Sequence, residues 1–548
     1  MYTYNDSVYL LLHNFASYVR NPNLDFYWNR KYQISNYLGQ IIFQGLNRYL
    51  HPVFLSNLIL ILSLTISIYF SFTLFKKFIG RSFISLAFSL LFSVSIYSLM
   101  RAISLTPALY FTFIFPIGVL LLLKNVKPIL LGTLTFIVLS FSPYYGLFSF
   151  ILILFWYFLD FLLKESNAVE FIKKVGLFSA AVLLWVTVFY SPQLYSNLAF
   201  LGNYKRVDLK EDFSQKSVIY RPLEDLYNFS FRPWYFFIPP KESLFFGKLS
   251  KNIHKRIEST NYYLANDYME EEMAGSYMGW HFLLGMGFVA FLLLLKKFKN
   301  KEFPIFKSIY NNKGILVRSF FIIFCILLIS GPPSFTVTGI EIYTISYLFY
   351  YIVPAFRVLV RWSVVIYLFV LIINLYLVLD IYNLMKKTWH KVVFITGFLV
   401  LNFVIFAIKI PVLNINKPPL EIAYLKEKFP ENVPYAVYPK GDYYSVFWII
   451  SDEDVLINPV NFVNYETGFY ANEFSKELIT QKGIAEFLRY KPKYLIYYKE
   501  NISEGDLERI SGINSDINSK EDISKFFSSY FGSPIFAQND ILIYMVKN

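Results

Sequence analysis

The sequence predicts an α-helical polytopic membrane protein of about ten spans, with a small extracytoplasmic α/β domain at its C-terminus. Three observations predict it. Of the 548 residues, 56% are hydrophobic and 20% aromatic, and the mean hydropathy is +0.44, far from an ordinary soluble domain. Apolar runs long enough to span recur through residues 53–410, separated by short Lys/Arg clusters. Beyond residue 410 Pro, Glu, Lys and Asn return, and the apolar runs shorten to strand length.

The formal charge of +13 does not point to nucleic acid, because Lys and Arg gather in turns between apolar runs, where they face anionic lipid. The single cysteine, Cys325, lies inside an apolar run and can make no intrachain disulfide; it reads as a packing residue.

Residues 53–75 (VFLSNLILILSLTISIYFSFTLF) contain no ionisable side chain. At ~1.5 Å per residue such a helix reaches roughly 34 Å, enough to cross the hydrocarbon. Lys76, Lys77 and Arg81 follow at once, so this end is cytoplasmic and residues 1–52 form an external loop. MYTYNDSVYL is no signal peptide, so either the loop crosses unaided or a first helix has been lost. Within it, residues 7–20 carry apolar positions at helical spacing and predict an amphipathic helix on the outer surface.

Residues 83–100 return outward and end at Arg101; residues 105–123 go in, before Lys124 and Lys127. The stretch 129–163 is too long for one span and is broken at SFSPYYG, where Pro143 and Gly146 predict an outer turn over 142–146. After Lys164, Lys173 and Lys174, residues 175–190 lead out to Ser191-Pro192. An external loop over 193–276 has nearly balanced charge and frequent Pro, Trp and Tyr, the profile of a functional loop. Residues 277–295 go in, 319–331 come out as a short span, and 332–356 form a second external loop. Residues 362–384 go in, Lys386, Lys387, His390 and Lys391 turn, and 392–410 come out. An even count puts both termini outside the cytoplasmic membrane. The tail, 411–548, alternates strand-like runs at 435–439, 454–459, 493–499 and 540–547 with helical patterns at 420–429, 473–490 and 519–530. That alternation predicts an external α/β domain of about 130 residues.

The sequence has no Gly-rich phosphate loop, paired-cysteine zinc spacing or GxSxG elbow. What remains is a set of charged groups on the outer face, where ions beside the hydrocarbon are costly and therefore functional candidates. Asp6 opens the amphipathic helix: it is either an N-terminal cap or a general base that activates an acceptor hydroxyl. In the second role it admits a divalent metal ion as cofactor. Asp25 is a loop residue or a second acid of the same site. Arg101 is a snorkelling anchor or a bidentate contact to a lipid phosphate. Arg232-Pro233-Trp234, followed by Tyr235, Phe236 and Phe237, combines a cation, a kink and aromatic faces, suited to interface anchoring or to a sugar or prenyl-phosphate headgroup. His254, Lys255, Arg256 and Glu270 to Glu272 read as a solvated charged face. Arg357 and Arg361 lie four apart on one helical face, for phosphate recognition or for structural pairing.

The motif Asp225-Leu226 with Phe229, Arg232-Pro233-Trp234, Pro239-Pro240 and Phe246-Gly247, then Phe356-Arg357 with Arg361, resembles a group of YfhO-type membrane proteins related to GT-C superfamily glycosyltransferases. The tail segments YAVYP, LINPVNFVNYETGF and YLIYY fall in the order of that group. The chain departs from the pattern in two ways: no helix precedes the acidic loop, which predicts a missing first helix, and no Asp-x-Asp surrounds Asp6. The resemblance implies a GT-C-type enzyme that moves a sugar from a polyprenyl-phosphate-linked donor to an extracytoplasmic acceptor by inverting displacement. Asp6 would be the base; Arg232, Arg357 or Arg361 would hold the donor phosphate, with Asp25, Arg101, Asp225 and Trp234 as further substrate contacts. The residues also allow a non-catalytic membrane-anchored protein for envelope polymer assembly or lipid handling. A transporter fits less well, because internal repeats and midplane charges are missing from the sequence.

Overall fold

The computed structural model describes residues 52–103, 109–202, 226–227, 229–258, 275–299, 302–337, 340–352, 358–409, 420–428, 434–438, 455–457, 478–489, 492–502, 504–538 and 540–546. The apolar runs form helices α1 (Pro52–Ile79), α2 (Ser82–Ser93), α3 (Ile96–Ile103), α4 (Ile114–Leu123), α5 (Pro128–Phe141), α6 (Pro143–Leu162) and α7 (Ala168–Gly202). After α8 (Gly247–Glu258) come α9 (Trp280–Lys299), α10 (Lys307–Asn311) and α11 (Lys313–Ser330). A hairpin, β1 (Ser334–Val337) and β2 (Ile340–Tyr343), precedes α12 (Ile345–Ile352), α13 (Ser363–Leu384) and α14 (Thr388–Phe406).

Among the described residues, seven helices are long and apolar enough to cross a membrane, or eight if α2 and α3, bent by 41° at their break, count as one. All of the expected apolar segments with described residues are helical, but α4 and α5 are too short to cross on their own, so the expectation of about ten spans is corrected to seven or eight. Hydropathy registers apolar composition and not helical continuity. α7 also runs through Ser191-Pro192 to Gly202, well into the stretch expected to be loop.

Local chemistry sets the breaks. Gly80, at φ +67°, ends α1 in the left-handed conformation that glycine adopts without strain. Pro143 starts α6 directly after Ser142, whose extended backbone is the whole break; Tyr144 to Gly146 belong to the first turn of α6 instead of to a turn between helices. Gly146 is required there, since a Cβ would sit 2.4 Å from Leu139 Cα of α5.

Contacts fix the direction of the helices. Phe75 meets Phe88 (6.0 Å) and Ser93 Oγ donates to Ser67 Oγ (3.0 Å), so α1 and α2 are antiparallel. Lys77 reaches the Leu123 carbonyl (3.3 Å), Arg318 of α11 pairs with Asp160 of α6 (3.0 Å) and Glu165, and Lys391 lies over Tyr382 (5.0 Å). These contacts gather the lysine-bearing helix ends at one end of the bundle. Asp380, near the end of α13, accepts the amides of Ser308 (3.0 Å) and Ile309 (3.2 Å), satisfying two unpaired donors at the start of α10.

α13 stands in the middle, against α1, α2, α4, α9, α10 and α11. Its best apolar window is 89% buried, as expected of a helix hydrophobic on all sides. α9 approaches it closely where Gly285 leaves room for Asn374, whose amide donates to the Phe282 carbonyl (3.0 Å).

The tail has its own core, around Tyr438, Tyr497, Phe527 and Tyr544. It contains α15 (Leu420–Lys428), β3 (Pro434–Tyr438), β4 (Val455–Ile457), α16 (Gln481–Arg489), β5 (Tyr494–Tyr498), α17 (Glu504–Ile513), α18 (Lys520–Phe531), β6 (Phe536–Gln538) and β7 (Ile541–Met545). The sheet order is β4-β3-β5-β7-β6; β3 runs parallel to β4 and β5, and β7 antiparallel to β5 and β6. β5 is buried throughout, which is why YLIYY is apolar and aromatic without alternation. Ser519 caps α18 by accepting the Asp522 amide (3.2 Å). In return, hydrogen bonds from Ser519, then Lys525, hold the Asp522 carboxyl down at about 2.

Candidate functional site

The end of the bundle away from the lysines brings together residues from four separate segments. Tyr97 and Arg101 sit one turn apart on α3, with the Arg101 guanidinium 5.3 Å from the Tyr97 ring centre. Tyr145, in the first turn of α6, donates its hydroxyl proton to the Leu109 carbonyl (2.7 Å) and lies 3.1 Å from the Tyr97 hydroxyl. The turn Leu359–Trp362, which leads into α13, lays Arg361 over the Tyr144 ring at 4.5 Å and stacks Trp362 on Phe148 at 3.9 Å. Two guanidinium groups from chain positions far apart thus stand against one tyrosine cluster, Arg101 over Tyr97 and Arg361 over Tyr144.

Arg101 is fully buried, which corrects the snorkelling expectation: a snorkelling head needs water. Arg361 lies in the turn before α13, not on a helical face, and Arg357 falls outside the described residues. Asp6, Asp25 and Asp225 also fall outside them. Arg232 is fully buried and turned into its own loop: it donates to the carbonyls of Ser230 and Tyr227 and to Ser230 Oγ (2.7 Å). The next amide back, Phe231, donates to the Ser330 carbonyl at the end of α11 (2.6 Å), and α11 also touches the Arg361 turn. The Arg-Pro-Trp loop therefore lies at the same end as Arg101 and Arg361, with its cation spent on loop closure. Trp234 stands half-buried in the short turn Pro233–Phe236, beside Tyr235. His254 is buried, a correction to the solvated face expected of it, whereas Lys255 and Arg256 are exposed.

Sequence reasoning missed Tyr97, Tyr144 and Tyr145. SFSPYYG was read only as a helix break; its signal was a phenol pair placed at a helix start. It also missed Glu341, in the hairpin. Glu341 accepts from Ser334 (2.6 Å), Tyr343 (3.2 Å) and Tyr227 (3.3 Å), and these bonds, that of Ser334 foremost, hold its carboxyl below the usual range.

Among the described residues, no group of three His, Cys, Asp or Glu side chains could hold a metal ion. A surface depression of about 460 Å³, lined by Ile381, Leu384, Met385, Lys386, Lys387 and His390, lies at the lysine end, away from Arg101 and Arg361. No protein-family model, no curated protein and no solved structure matches the chain.

Chemically, a guanidinium matches an oxyanion through paired N–H donors, and of the two at this end Arg361 is the one that is only half-buried. The aromatic rings around them suit a ligand whose other part is apolar.

Proposed function

We propose that the chain is a multi-pass protein of the cytoplasmic membrane whose arginine end faces outside and binds a polyprenyl-phosphate-linked sugar. It transfers that sugar to an extracytoplasmic acceptor as a GT-C-type glycosyltransferase. The observation that carries this reading is the placing of Arg101 over Tyr97 and Arg361 over Tyr144, tyrosines of one cluster with Tyr145, at the end opposite the lysines. The lysine clusters fit the cytoplasmic side by the positive-inside rule, and the guanidinium pair fits a phosphate at the opposite headgroup layer.

In this reading Arg361 holds the donor phosphate, and the buried Arg101 adds positive charge at the same end, offsetting the negative charge that grows on the phosphate as the glycosidic bond breaks. Arg232 shapes the neighbouring loop, and Trp234 offers a stacking face for the sugar. Asp6 removes the proton from the acceptor hydroxyl as that oxygen attacks the anomeric carbon, and the polyprenyl phosphate leaves. The test is a deletion strain whose lipid-linked sugars are profiled by mass spectrometry. The expected result is accumulation of one lipid-linked sugar, reversed by the wild-type gene but not by Asp6→Asn or Arg361→Ala. An unchanged pool of lipid-linked sugars overturns it.

A non-catalytic role in envelope polymer assembly has one observation in its favour. Arg232, the cation of the most distinctive external motif, is committed to its own loop. Normal complementation by Asp6→Asn would favour that role.

A further inference from the structure

The hairpin β1–β2 has two chemically distinct faces. On one, Phe335 pairs directly with Ile342, and Ile340 stands two positions along the same strand. On the other stand Ser334, Glu341 and Tyr343, and this face is tied to the body of the protein: Tyr227 bonds Ser334 and Glu341. Ser334 of the polar side is buried and bonded to Tyr227, whereas Glu341 and Tyr343 stay exposed, so the hairpin presents its whole apolar side and the outer strand of its polar side at the surface. Ile340 is 67% exposed, Phe335 50% and Ile342 42%. The next element continues the pattern, because Ile345 and Leu348, three apart on α12, are also exposed.

What covers this surface follows from its place in the chain. The hairpin begins four residues after the end of α11, a helix apolar enough to cross a membrane, and α13, another, follows α12. α11 exposes Phe324 and Leu328, one turn apart, as it approaches the hairpin. Among the described residues, exposed apolar side chains therefore continue from that span into the hairpin and α12. We infer that the hairpin and α12 form an interfacial anchor, with their apolar faces immersed at the boundary between lipid headgroups and acyl chains. This inference rests on the membrane reading above. Its consequence is positional: the Leu359–Trp362 turn follows α12, so an anchored α12 holds Arg361 at the depth of lipid phosphates.

The test uses the full chain with Cys325 replaced by Ala and single cysteines introduced by Ile340→Cys, Leu348→Cys, Phe324→Cys or Lys313→Cys. Each is labelled with a small fluorophore and reconstituted in phosphatidylcholine vesicles with brominated acyl chains, and iodide serves as the aqueous quencher. Labels at positions 340 and 348 are expected to lose most of their fluorescence to brominated lipid and little to iodide, with position 313 the reverse. Quenching of position 340 by iodide alone overturns the inference. So does protection from both quenchers combined with crosslinking of position 340 to a second copy. Position 324 separates the two failures: if it too escapes brominated lipid, the membrane reading has failed and not merely the anchor.

Discussion

The two ends of the helical bundle handle positive charge in opposite ways. At one, Lys76, Lys77, Lys127, Lys386 and Lys387 line helix ends as exposed, compact charges. The acids there do structural work: Asp380 caps α10 and Asp160 pairs with Arg318. At the other, Arg101 is buried and Arg361 half-buried, each set against a phenol ring. Under the proposed function, residue type and burial together separate charge that orients a chain from charge that recognises a ligand. A hydrated lysine answers to the average potential of a lipid surface, whereas a buried guanidinium needs a partner of matching geometry.

The largest effect is expected where this contrast is sharpest. Arg361→Ala removes the guanidinium that lies over Tyr144 and should lower transfer by about 100-fold or more, comparable to deleting one donor to a developing anion. Arg361→Lys should recover little, because an ammonium cannot reproduce the planar fork. The measurement is turnover of lipid-linked sugar in membranes containing equal amounts of folded protein. Full recovery by lysine would break the contrast, since the arginine end would then need charge alone.

At the opposite end, Asp380→Asn should leave turnover unchanged and lower stability. The carboxylate accepts two amides, and an amide side chain can satisfy one of them well, so the loss is about 1–3 kcal/mol. The melting temperature of the purified protein in detergent reads it. A fall in turnover without a fall in melting temperature would mean that the two ends are coupled. A smaller effect still is expected from Lys386→Gln, whose exposed side chain makes no ion pair among the described residues: stability should change by no more than about 0.5 kcal/mol.

How much of this was legible in the sequence differs between the bundle and its site. The apolar helices of the bundle were legible as apolar runs flanked by basic residues, and β3, β4, β5 and β7 as short apolar runs, whereas α8, α10 and the hairpin β1–β2 lay in stretches read as loop or connector. β6, of three residues, was too short to register, and α17 was diluted by Gly505 and Gly512. Which helix stands in the centre was not legible. The best window of α13 is 89% buried and that of α7 11%, yet both are apolar, because lipid and protein interior demand the same side chains. The meeting of Arg101 with Arg361 was equally hidden: periodicity carries no information about partners on distant helices. Arg232 shows the reverse error, since a distinctive motif marked a loop that its own arginine closes.

The smallest expected effect concerns the acid of the arginine end that water can reach. Glu341 is exposed, and hydrogen bonds from Ser334, Tyr343 and Tyr227 hold its folded-state pKa below that of the unfolded chain. A carboxyl depressed on folding adds stability that is present above its unfolded pKa and lost as pH falls through the folded one. The hairpin should therefore exchange its amide protons faster once pH drops below the ordinary carboxylate range of about 4. Hydrogen exchange of the segment 334–343 at falling pH, corrected for intrinsic exchange rates, reads this, and Glu341→Gln should abolish the dependence. The amides of Ser308 and Ile309, held by Asp380 behind the wall of α13, provide the internal comparison, because their protection depends on opening the bundle and not only on protonating an exposed acid. If both segments loosened together, the hairpin would be part of the rigid core and its polar face would do more than pin an anchor. If the hairpin loosened alone, the arginine end would be the end that moves, as a site that admits a lipid-linked ligand from the side must.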